Sequence, residues 1–150
     1  MAATILEAKA GANKASRSTP PTSSNIVQFP SGLLGFEQLK TFALVGRPQE
    51  EPFLWLEAPK DSRISFIVVP PKQVVPDYQP DLSDDDVKFL GLKSPNEALV
   101  LTIVTLRSEG RASINLKGPL VINARTHIGK QIVPVNAADY STEYPLPVSK

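Results

Sequence analysis

Five aspartates fall within ten residues, at Asp77, Asp81, Asp84, Asp85 and Asp86. Carboxylates at that density have three uses: they chelate a divalent cation, work as a general acid–base pair, or begin a helix, whose N-terminal dipole favours negative charge. A calcium loop needs oxygen ligands at alternating positions, a glycine at its sharp turn and a distal glutamate. The stretch DYQPDLSDDDVK, Asp77 to Lys88, sets proline or apolar residues at ligand positions and contains no glycine. Helix capping fits better. Ser83 is a strong N-cap, and Asp86 stands three places on as the acidic half of a capping box. Leu82 and Val87 have the spacing of a hydrophobic staple, and Gly91 supplies a left-handed C-cap. One short helix from about Asp84 to Leu90 is expected, without metal.

Other chemistry finds less support. With no cysteine there is no disulfide, thiolate metal site or cysteine nucleophile, which suits a reducing cytoplasm. His127 is the single histidine and reads as an exposed turn residue. No nucleophile elbow, phosphate-cradling glycine loop or dinucleotide fingerprint is present. A carboxylate pair formed by Asp77 and Asp81 would suit a hydrolase, but no further residue supports it. The reading is of a non-enzymatic protein with no catalytic residue, no cofactor and no metal.

The chain of 150 residues carries a net charge of +1, with 41% hydrophobic and 21% charged residues. That length suits a single domain, and the balance exerts no global pull on nucleic acid or an anionic membrane. Charge is unevenly placed: residues 75–92 carry five Asp against Lys88, a local −4, whereas residues 93–131 reach +4. Fifteen prolines favour strands with rigid connections over a helical bundle. Residues 1–24, rich in Ala, Ser, Thr and Pro, have too little apolar surface to offset ordering entropy and are expected to be a disordered tail, with a short strand near Thr4–Glu7 as the alternative. No stretch there or later has the length to span a membrane.

From residue 25 to residue 150 the text is that of one folded domain. NIVQF, TFALVG, FLWLE, ISFIVV and ALVLTIVTL read as strands, the last three continuously apolar and so covered on both faces. RASINLK alternates as a half-buried strand, and GPLVINARTHIGKQIV reads as a hairpin turning at Asn123–Thr126. The expected fold class is mainly β, a compact β-barrel-like single domain with one or two short helices.

The blocks FPSGLLGFEQLKTFAL, PFLWLEAPKDSRISFIVVPP, VPDYQPDLSD, ALVLTIVTL, INLKGPLVINARTHIGKQIV and DYST, in that order from about Asn25 to Leu146, resemble the bacterial flagellar assembly factor FliW family. The most specific are F-P-x-G-L-x-G-F-E, P-D-Y-x-P and P-x-V-I-N taken together. The resemblance implies a cytoplasmic protein without enzymatic activity that binds the carbon storage regulator CsrA, an RNA-binding translational repressor, and relieves its repression of flagellin messenger RNA. It also implies that flagellin competes for the same protein, by partner switching. The chain departs from the family pattern at Glu143 and Tyr144, where an arginine and a histidine are usual. With partners in view, Pro76, Asp77, Tyr78, Gln79 and Asp81 become the candidate contact loop, its backbone pre-set by Pro76 and Pro80, with Asn115 and Asn123 as further candidates; the structural alternatives are that Tyr78 packs under its own loop and that the two asparagines hold turns or strand ends. No direct nucleic-acid or membrane contact is expected, and the free protein is expected to be a monomer. The alternative is a small β-barrel module that binds nucleic acid or carbohydrate, although Arg107 to Lys130 contains no aromatic residue for base stacking.

Overall fold

The structure, a computed structural model, describes residues 26–59 and 64–146. The expected tail at 1–24, the alternative strand near Thr4–Glu7, residue 25, and residues 60–63 and 147–150 lie outside the described residues. Among those described, no helix is long and apolar enough to cross a membrane.

Among the described residues nine strands form one antiparallel sheet: β1 (Ile26–Gln28), β2 (Thr41–Gly46), β3 (Leu54–Glu57), β4 (Ser65–Val69), β5 (Ala98–Leu106), β6 (Ala112–Ile114), β7 (Leu120–Asn123), β8 (Gly129–Gln131) and β9 (Tyr144–Pro145). The order is β1-β2-β3-β4-β5-β6-β9, and β7 and β8 branch from β5 as a hairpin. The nine-residue β5 organises this layout: it pairs β7 through Ala98–Leu101, β4 at Thr102 and Ile103, and β6 through Val104–Leu106. All five positions of β4 are buried, as its unbroken apolar run requires.

The fold is the expected compact, mainly β single domain, and among the described residues the sheet is not closed into a barrel. Its seam between β1 and β8 is spanned by one isolated parallel bridge, Gln28↔Ile128, with the Gln28 N–H donating to the His127 carbonyl at 2.9 Å. After Gln28 the chain turns away, with Phe29 N–H bonded to Lys40 O and Gly32 N–H to Phe29 O. The Phe29 ring then enters the core edge-on to Phe42, which meets Phe66 in turn at 6.0 Å. Gly129 makes room for it, since a Cβ there would lie 2.9 Å from the Phe29 ring. His127, expected to be exposed, is half-buried at this seam with φ 64° and its Nδ1 3.1 Å from Ile26 O.

Two further local readings change. The strand expected over RASINLK stops at Ile114, because the Asn115 side chain turns the backbone that follows. Ser113, placed outward by the alternation, is buried beside β9, opposite Pro145, and its hydroxyl has no hydrogen-bond partner. The C-terminal stretch, polar in composition, supplies β9 and the buried Leu146.

Between β4 and β5 lies the helix α1 (Asp84–Leu90), with the predicted bounds. Ser83 Oγ accepts the Asp86 N–H at 3.1 Å, and Gly91 at φ 66° lets Leu92 N–H return to Val87 O. The capping box is only half made. Asp86 does not reach back to Ser83; the residue is buried, and its carboxylate takes Lys130 Nζ at 2.6 Å. Aspartate is a methylene shorter than the usual glutamate, and here a cation stands beside it.

Candidate functional site

The candidate loop is held from behind. Tyr78 N–H bonds to Val75 O at 2.9 Å, and its ring enters the core, 1% exposed. There the hydroxyl donates to Leu116 O at 2.7 Å, and the ring meets Tyr140 edge-on at 4.6 Å. Burial, and secondarily the neighbouring Tyr140, pushes the Tyr78 hydroxyl well above the ordinary tyrosine pKa. A second set of contacts comes from residues 135–140. Asn136 Oδ1 accepts Asp81 N–H at 2.9 Å, and its Nδ2 donates to Gln79 O at 3.1 Å. Val135 N–H donates to Asp81 O at 2.7 Å, and Gln79 N–H donates to the Tyr140 hydroxyl at 3.2 Å. The loop is therefore fixed without using the side chains of Asp77, Gln79 or Asp81, and these three residues are exposed together with Pro76.

The structure thus divides the seven candidate residues. Pro76, Asp77, Gln79 and Asp81 are presented to solvent on one loop, and Tyr78 is that loop's anchor rather than a contact surface: its phenol has a buried acceptor and a ring neighbour. Asn123 is fully buried at the end of β7, where it joins two elements. Its Nδ2 donates to Leu90 O at 2.8 Å, at the end of α1, while its Oδ1 accepts the N–H groups of Arg125 and Thr126 in the hairpin turn. Asn115, half-buried, accepts the N–H groups of Lys117 and Gly118 and so shapes the segment whose Leu116 carbonyl receives Tyr78. Asn123 is thus committed to the fold through both ends of its amide, and Asn115 through its Oδ1. Glu143, where the family pattern leads one to expect a cation, pairs with Arg107 at 3.0 Å.

In front of the loop lies an open cleft of about 720 Å³. Gln79, Pro80, Asp81 and Leu82 contribute from the loop, Val87 from α1, and Leu92 and Pro95 from the segment after the helix. Ala98 and Val100 of β5 complete its apolar lining, and Lys72 and Lys93 reach it from the flanking segments. Among the described residues no group of three or more His, Asp or Glu side chains is placed to hold a metal ion. Sequence reasoning missed Asn136 and Tyr140, which clamp the loop. Tyr140 falls in the DYST block and could have been flagged there, but Asn136 carries no local signal.

Fold and cleft together define a small antiparallel-β protein that presents a braced acidic loop beside an open, partly apolar groove. The sequence profile of the FliW protein family matches residues 13–146. The chain is 37% identical over 123 residues to the flagellar assembly factor FliW of Natranaerobius thermophilus, covering 81% of each. It is 38% identical over 128 residues to that of Carboxydothermus hydrogenoformans, covering 85% of this chain and 82% of the relative. A crystal structure of the flagellar assembly factor FliW superposes with a TM-score of 0.78 at 27% identity, covering 88% of this chain and 92% of that one. The chain belongs to the FliW family of flagellar assembly factors.

Proposed function

We propose that this protein acts in the cytoplasm as a non-enzymatic switch between two protein partners. It binds CsrA and relieves that regulator's repression of flagellin messenger RNA; it also binds flagellin, which thereby competes for it. The observation that carries this reading is the match to the FliW family across residues 13–146, together with a fold that keeps the family's acidic loop rigid and exposed. Rigidity suits the role. A loop whose backbone is ordered before docking avoids an ordering cost of about 1–2 kcal/mol for each residue that would otherwise be fixed on binding. Charge suits it as well, because unpaired rim carboxylates act mainly on association rate and partner choice.

The test is a titration in which a flagellin-leader RNA is held by CsrA and purified protein is added. Release of the RNA in proportion to a protein–CsrA complex is expected. RNA that stays bound at saturating protein, or direct binding of the protein to the RNA, would refute the reading.

A further inference from the structure

We propose that the β7–β8 turn is a conformational relay: it holds β1 on one side and the end of α1 on the other as a single cooperative unit, so that displacing β1 loosens the end of α1. The relay belongs to the free chain and does not depend on which partners bind.

The first argument is that two weak elements share one support. β1 is a three-residue edge strand, joined across the seam by one bridge. α1 has seven residues, too few for a helix to persist without outside contacts. Residues 123–127 serve both. Towards α1, Asn123 Nδ2 donates to Leu90 O at 2.8 Å and Arg125 Nη2 to Gly91 O at 3.3 Å, so these carbonyls at the helix end have partners. Arg125 Nε also reaches Glu97 Oε2 at 3.1 Å, and Ala124 N–H donates to Glu97 O at 2.8 Å, which fixes the turn beside the start of β5. Towards β1, the His127 carbonyl accepts the Gln28 N–H at 2.9 Å, and the His127 Nδ1 stands 3.1 Å from Ile26 O.

The second argument is strain at the residue that links the two sides. His127 sits at φ 64°, in the left-handed region that a residue with a Cβ adopts at a cost. Its contacts to Ile26 and Gln28 offset that cost. Its N–H closes the turn on Asn123 O at 2.7 Å, and Asn123 is the residue that holds the helix end. When β1 leaves, His127 loses its contacts there, the bond to Asn123 O loses its support, and the hold of Asn123 on Leu90 weakens with it. A local opening that begins at the edge strand therefore spreads through the turn to α1 instead of stopping at the seam. A partner that draws β1 away would alter the end of α1 without touching it.

The test is residue-resolved native-state hydrogen exchange on the full chain. In the wild type, the amides of Gln28, His127 and Leu92, the last bonded to Val87 O, are expected to share one opening equilibrium and one denaturant dependence. The amides of β4 should open more rarely. Arg107 N–H, bonded to Arg111 O at the far end of β5, is the control. His127→Asn keeps a residue that tolerates the left-handed backbone and takes the imidazole away from Ile26 O. It should speed exchange at Leu92 as much as at Gln28, by roughly tenfold or more, with Arg107 unchanged. Asn123→Ala should in turn speed Gln28, because coupling is reciprocal. Acceleration at Gln28 alone in His127→Asn, or at Leu92 alone in Asn123→Ala, would overturn the relay, as would equal acceleration at Arg107. If either variant melts without cooperativity, the wild-type denaturant series decides, and separate opening equilibria for Gln28 and Leu92 would overturn the relay.

Discussion

At the scale of single residues, Tyr78 shows how a side chain that looks like a contact can be a fastener. A tyrosine between two prolines offers a partner a large amphipathic surface, yet the same ring can fill the space beneath its own loop, and here its hydroxyl has found a backbone carbonyl there. Tyr78→Phe keeps the ring and strands the buried Leu116 carbonyl, so a loss of about 1–3 kcal/mol at neutral pH is expected. The cost has a pH signature. The native hydroxyl stays neutral above the range where an unfolded tyrosine ionises. The unfolded chain therefore holds fewer protons above about pH 10, and native stability falls as pH rises through that region. Denaturant melts of wild type and Tyr78→Phe from pH 8 to 11 should show the difference intact below pH 10 and shrinking above it; a constant gap would mean that the phenol is not shielded. Asp77→Ala and Gln79→Ala, whose side chains are exposed, should change stability by no more than about 0.5 kcal/mol, read in the same melts.

At the scale of elements, α1 and the β7–β8 turn are coupled through one asparagine. The bounds of α1 were legible because its signals are local: Ser83, the aspartates and Gly91 lie within one short segment and act on its own backbone. Ser83→Ala should cost about 1 kcal/mol in a thermal or denaturant melt, and added chelator should leave the curve unmoved. The turn-holding role of Asn123 was legible, but its hold on the helix was not, because its partners at Leu90 and Gly91 are more than thirty residues away in sequence. Asn123→Ala frees the Leu90 carbonyl at the end of the helix and two N–H groups of the turn together, while Gly91 O keeps its bond from Arg125. A loss of at least about 2 kcal/mol is expected, and a change under half of that would show that water or Arg125 takes over. Continuous apolar runs report that both faces of a strand are covered, but not how the edges of the sheet meet: among the described residues a single bridge, Gln28↔Ile128, joins β1 to the segment before β8.

At the scale of the whole molecule, the sheet serves to hold two distant segments against each other. β5 fixes β7 and β6, β9 returns to β6, and residues 135–140 are thereby laid along the loop that carries Asp77, Gln79 and Asp81. A scaffold of this kind needs no tuned catalytic group. On the proposed reading it needs a surface that two partners cannot use at once. The direct measurement is competition on a preformed complex: labelled CsrA bound to this protein, challenged with increasing purified flagellin and followed by analytical size exclusion. Release of free CsrA in step with formation of a binary flagellin complex is the predicted result. A stable ternary complex, or CsrA that remains bound at every flagellin concentration, would contradict partner switching.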